Sequence, residues 1–319
     1  MGLFETIRRA CASVAESARW VRINEAGLAA LAEGLVGQEQ VFEAEDPAHH
    51  RREDDASTLA FVLTLDAVNF GSGWFPHMQK RPGASGYFTV ATCLAEHFDK
   101  NGAPQAAALA QIEADECARI FGQPQAPSPI SPLMELFAQS WRDLGGRVEG
   151  SFGGSFAGLV EAADHRAERL VEILASMPLY RDVEDYAGLE VPFYKRAQIT
   201  CTDLAGAFEE SGLGRFADLD ELTIFADNLV PHVLRWEGVL DYAPELLGRI
   251  QAGEPIALGS AEEIEIRAVA LHAVERLSAA LGELGEPMPP RRLDALLWHR
   301  GQRREIKAEP RHRTCCTYY

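Results

Sequence analysis

A carboxylate set in an apolar run is the feature of this sequence that most suggests chemistry. The stretch Leu222-Thr-Ile-Phe-Ala-Asp-Asn-Leu-Val-Pro-His-Val-Leu-Arg-Trp236 places Asp227 among Phe225, Leu229 and Val233. That spacing predicts a helix through Asp227. Pro231 removes the N–H that would pair with the Asp227 carbonyl, so the helix should kink or end there. A buried carboxylate is costly unless it has partners or a task. Either Asp227 works in a site, or it caps a helix or salt-bridges a neighbour such as Lys195 or Arg235.

Three further clusters carry reactive or recognising side chains. Val191-Pro-Phe-Tyr-Lys-Arg-Ala-Gln198, followed by Asp203, puts Lys195 behind the rings of Phe193 and Tyr194. A lysine there either pairs with an internal carboxylate or grips a phosphate as a point charge, and an exposed helix-face lysine is the plain alternative. Asp66-Ala-Val-Asn-Phe-Gly-Ser-Gly-Trp74 ends an apolar run with an acid, an amide and two glycines. Asn69 suits a base edge, and Phe70 and Trp74 offer flat faces; a Gly-rich helix exit with Phe70 in the core is the alternative. The last stretch, Pro310-Arg-His-Arg-Thr-Cys-Cys-Thr-Tyr-Tyr319, ends in two tyrosines and so should dock.

The elements that must position these groups read mostly as helices. Stripes recur at Leu28, Leu31 and Leu35, at Leu133, Leu136, Phe137, Trp141 and Leu144, and from Leu159 through Leu174. Ser260 and Glu263 form a capping box ahead of Ile264, Leu271, Val274 and Leu281. Leu59–Leu65 is the best strand candidate, and a buried helix fits it equally. The proline-rich segment 122–132 reads as a surface loop between helices within one domain spanning 1–319, with a division into two helical lobes there as the alternative. Residues 43–55, with His49 and His50, read as a solvated charged loop.

The 319 residues are 47% hydrophobic and 24% charged, which supports a real core and excludes a disordered or fibrous chain. No apolar run is long enough for a membrane span. With 48 acidic and 30 basic residues the net charge is −18. Such a surface repels polymeric nucleic acid. Lysines are only Lys80, Lys100, Lys195 and Lys307, so each stands out. The six cysteines show no CxxC spacing, which points to no zinc site or disulfide framework and to a reducing cytoplasm.

Taken in order, several blocks resemble the queuosine 5′-phosphate N-glycosylase/hydrolase family, the queuosine salvage proteins. They are Asp66-x-x-Asn-Phe, Gly153-Gly-Ser-Phe156, Tyr180-Arg-Asp-Val183, Phe193-Tyr-Lys-Arg-Ala-Gln-Ile199, Thr223-Ile-Phe-Ala-Asp227 with Pro231, Glu265-Ile-Arg267 and His312-Arg-Thr-x-Cys-x-Tyr-Tyr319. The resemblance runs from Asp66 to the last residue. It implies a mainly α, DNA-glycosylase-like globule with few or no strands. It implies hydrolysis of queuosine 5′-monophosphate to queuine and ribose 5-phosphate, without metal or organic cofactor. Asp227 falls at the family's catalytic aspartate, and Asn69, Phe70, Phe193, Tyr194 and Lys195 fall in pocket motifs. Asp66 and Asp203 suit the secondary amine of the queuine side chain. The run Asn228-Leu-Val-Pro-His232 departs from the family's Tyr-Arg-x-Pro-Gln type. The implied partner is a small nucleotide, with neither polymeric nucleic acid nor a membrane. Two other readings compete: a non-catalytic helical module binding a modified nucleobase or a tRNA-handling partner, and a DNA repair glycosylase. The charge disfavours the latter, and Gly212-Leu-Gly214 is only a faint echo of a helix-hairpin-helix.

Overall fold

The computed structural model describes residues 2–37 and 51–319, so His49 and His50 lie outside the described residues. The chain is mainly α-helical and divides into two compact units. The first comprises the described residues of Met1–Glu43, Asp182–Lys195 and Asp220–Cys315. The second comprises those of Ala44–Arg181, Arg196–Leu219 and Cys316–Tyr319. Segment 122–132 lies wholly inside the second unit, between the mutually packed helices Ala114–Ile120 and Ser131–Phe152.

The first unit is built on the helix Ala261–Glu283. Ser260 caps it by accepting from the Glu263 N–H at 3.3 Å. The run Glu263–Leu271 is buried residue after residue, so this helix is enclosed on all sides and carries three charged side chains inward. The helices Leu3–Ser17 and Glu25–Leu35 pack against it. Two short antiparallel ribbons complete the unit, Val21–Ile23 with Leu240–Tyr242 and Val183–Tyr186 with Leu189–Pro192. In the second ribbon Tyr186 pairs with Leu189 across Ala187 and Gly188, both at positive φ, as a two-residue primed turn demands.

The second unit surrounds the helix Asp55–Ala67, which settles the ambiguity over Leu59–Leu65 in favour of a buried helix. Gly86–Asn101, Ser131–Phe152 and Phe156–Glu161 pack on it. The apolar stripe from Leu159 to Leu174 is split over two helices, Phe156–Glu161 and Ala167–Ala175. Asp164 and His165 between them take left-handed φ values, which Asp and His tolerate better than most residues. Asp218 then caps the second helix, accepting from the N–H groups of Ala167 and Glu168 at 2.6 and 3.2 Å.

Candidate active site

Asp182 organises one half of the candidate residues. It precedes the ribbon Val183–Pro192, and its carbonyl accepts from the N–H groups of Phe193 and Tyr194 at 2.9 and 3.3 Å. Its carboxylate accepts from the Lys195 N–H at 3.1 Å, which caps the helix Lys195–Ala207 from across the ribbon. Phe193 and Lys195 are thereby buried and Tyr194 half-buried. Tyr194 takes a φ of 49°, a left-handed conformation that costs a non-glycine residue about 1–2 kcal/mol. The Asp182 carbonyl holds that conformation in place.

Arg267 holds Asp182. The guanidinium reaches both carboxylate oxygens, at 2.9 and 2.6 Å, and lies over the Phe193 ring with 3.9 Å to its centroid. Both partners are buried, so this is a desolvated, bidentate pair of the strong kind. The remaining edge of Arg267 donates from Nε to the Ala226 carbonyl at 2.9 Å, and a nitrogen meets Glu263 at 3.5 Å. One side chain thus ties the Phe193–Lys195 corner to the residue before Asp227.

At Asp227 the expected helix is absent. Residues 222–226 are not helical, and Pro231 lies in the first turn of the helix Val230–Trp236 rather than at a kink. Proline is suited to that turn because its missing N–H needs no partner there. Asp227 Oδ1 accepts from the N–H groups of Leu229 and Val230 at 2.7 and 2.9 Å. Oδ2 makes no hydrogen bond among the described residues. The carboxylate is half-buried, with one oxygen anchored to backbone and the other open for chemistry. The three residues that depart from the family run hold the structure around it. Asn228 donates to the His312 carbonyl at 3.4 Å, Leu229 presses on Gly301, and His232 Nε2 donates to the Ile306 carbonyl at 2.9 Å. Burial holds the His232 imidazole below its usual range and pulls His312 down to about 3, so both are neutral.

The second unit holds the other candidates. Asp66, in the last turn of Asp55–Ala67, is fully buried; Asn69 and Phe70 follow it. Three side chains close that helix end: Trp141 donates to the Thr64 carbonyl at 2.8 Å, Ser140 to that of Ala67, and Arg196 to those of Ala67 and Asp66 at 2.6 and 3.3 Å. Phe70 is buried edge-on to Phe137, centroids 5.1 Å apart, and Arg196 lies 4.7 Å over its ring. The ring is therefore part of the core packing. Gly71 follows at a φ of 105°, where a Cβ would stand 2.6 Å from a Leu133 methyl. Its N–H donates to the Tyr319 carbonyl at 3.0 Å, so the final tyrosine docks as expected. Asp203 is buried on the helix Lys195–Ala207. Burial first, and then Asp218, Asp66 and Asp203, push the Cys201 thiol well above its usual range, so Asp66 and Asp203 bear on one region.

The structure thus gathers Phe193, Tyr194, Lys195 and Asp227 through Asp182 and Arg267, and gathers Asp66, Asn69 and Phe70 at one helix end. Asp182, Arg267 and Arg196 were not singled out from the sequence. Each lies in one of the quoted blocks, but only burial tells these arginines from the other 24 in the chain.

A family model described as queuosine salvage protein matches residues 49–319. Relatives named queuosine 5′-phosphate N-glycosylase/hydrolase are similar over most of the chain. That of Sphaerobacter thermophilus is 38% identical over 325 residues, covering 100% of this chain and 98% of the relative. That of Bos taurus is 31% identical over 340 residues, covering 98% of each. That of Dictyostelium discoideum is 37% identical over 263 residues, covering 82% of this chain and 78% of the relative.

Proposed function

The chain belongs to the queuosine salvage protein family, and on that premise we propose that it hydrolyses the N-glycosidic bond of queuosine 5′-monophosphate to release queuine and ribose 5-phosphate. The observation that carries this reading is the Asp227 carboxylate, anchored through Oδ1 with Oδ2 open. Cleavage of the bond between C1′ and the base nitrogen leaves positive charge on the ribose. A preorganised carboxylate stabilises that oxocarbenium-like cation more than the neutral ground state. Water supplies the hydroxyl at C1′ and the base leaves with a proton.

Queuine is a 7-deazaguanine, so protonation at N7 is not available to improve the leaving group. The demand on the carboxylate rises accordingly. On the same reading Phe193 and Tyr194 supply aromatic faces and Lys195 a cation toward the sugar phosphate. Asn69 reads the base edge, and Asp66 and Asp203 take the side-chain amine. The Phe70 ring packs on Phe137 and beneath Arg196. The whole chain then acts as one hydrolase domain.

Incubation with queuosine 5′-monophosphate, followed by mass spectrometry for free queuine, tests the reaction; a bound but intact nucleotide would instead support a binding module. Asp227→Asn keeps an oxygen to cap the helix and removes the charge. Its turnover should fall by about 10²–10³ or more with substrate binding and melting temperature preserved. A folded variant with wild-type turnover would show that another group does this work.

A further inference from the structure

Resting on that proposed function, we infer that Arg311 receives the 5′-phosphate of the nucleotide. Its backbone is pinned on one flank, where Asn228 donates to the His312 carbonyl at 3.4 Å and the Ile256 N–H to the Arg313 carbonyl at 2.9 Å. The first of these anchors ties the Arg311 neighbour to the residue after Asp227. The Arg311 guanidinium lies close enough to feel the Asp227 charge, yet it makes no ion pair or hydrogen bond among the described residues.

A half-buried guanidinium with its fork of N–H donors uncommitted loses hydration without compensation, so folding stability gives no reason for it. A phosphate monoester supplies what is missing, because its oxygens match the planar fork bidentately. The surroundings fit an anion. In a chain of net charge −18, Lys307, Arg311 and Arg313 cluster here, and burial first, with the Arg311 charge adding to it, lowers proton binding at Lys307, His232 and His312. A cation beside Asp227 also screens the repulsion between that carboxylate and an arriving phosphate.

Arg311→Gln and Arg311→Lys separate this role from that of a counter-ion to Asp227. In Arg311→Gln the KM for queuosine 5′-monophosphate should rise roughly tenfold to a hundredfold, while the calorimetric Kd for free queuine, which has no phosphate, stays within about threefold of wild type. Arg311→Lys should recover part of the loss as a point charge. Equal weakening toward nucleotide and queuine, or no change toward either, overturns the assignment. If wild-type protein releases no queuine, the proposed function fails on its own account. Calorimetry with inorganic phosphate then decides the Arg311 assignment separately: binding lost in Arg311→Gln supports an anion site, and binding absent from wild type or equal in both proteins overturns it.

Discussion

Each unit buries an arginine under aromatic rings, and the two arginines are satisfied differently. Arg267 meets the Asp182 carboxylate with both terminal nitrogens and the Ala226 carbonyl with Nε, beneath Phe193. Arg196 meets the carbonyls of Asp66, Ala67 and Leu179, between the rings of Phe70 and Tyr180. The first arrangement sets a full charge against a full charge in a dry interior. The second sets a full charge against the negative end of a helix, where the unpaired carbonyls of Asp55–Ala67 would otherwise lack donors. A buried ion pair is unforgiving, because removing one partner strands the other. A carbonyl cap fails more gently. The unforgiving device holds Asp227 and its neighbours, and the gentler one holds the exit loop at Asn69.

Breaking the pair should have the largest effect. Arg267→Met leaves the buried Asp182 and Glu263 carboxylates without this counter-ion and should cost up to about 5 kcal/mol in urea unfolding. Arg196→Met leaves neutral carbonyls and should cost about 1–3 kcal/mol. The double variant Asp182→Asn/Arg267→Met should regain stability over Arg267→Met alone but not turnover, since Ala226 stays unheld. Equal losses for the two single arginine variants would erase the distinction between the units.

Next comes the packing on Arg196. Phe70→Ala opens a cavity against Phe137 and should cost about 3 kcal/mol by the same measurement. Queuine affinity measured well below the melting temperature should remain near wild type. A large loss of queuine affinity with unchanged stability would instead make Phe70 a stacking face.

In the first unit, Lys195→Ala should raise the KM for the nucleotide by roughly ten- to a hundredfold, more than for the nucleoside. Equal losses would move Lys195 to a structural role, its backbone cap on Asp182 being independent of the side chain.

The smallest effect is the response to acid. His312 is held down to about 3 by burial and nearby Arg267, and burial also lowers His232 and His272 in the same unit. The unfolded chain binds these protons near the ordinary imidazole value, so it gains protons relative to the fold as pH falls below that value. The stability is present above about pH 6.5 and is lost on the way down toward the folded value. Between pH 7.5 and 5.5 His312 alone should cost about 1 kcal/mol. Among the described residues of the second unit, His97 is the histidine lowered by burial. Hydrogen exchange should therefore show amides of the first unit losing protection before those of the second, and His312→Gln should narrow the gap.

Much of the fold is legible along the chain because helical burial repeats every few residues and caps lie next to the turns they close. Leu133, Phe137, Trp141 and Leu144 face inward as their spacing requires, and Ser260 caps where Glu263 signals it. The ordered blocks ending in Tyr319 are enough to point to the family. The same local logic misreads residues 222–226, whose apolar spacing suits a helix but which take a non-helical path into the cap at Asp227. It is also silent on which arginines are buried. Arg267 and Asp182 stand 85 residues apart, and Arg196 and Ala67 129 apart. No periodicity links such positions. Their partners are chosen by which charged groups the packed helices leave without water, and that choice exists only once the tertiary structure has closed around them.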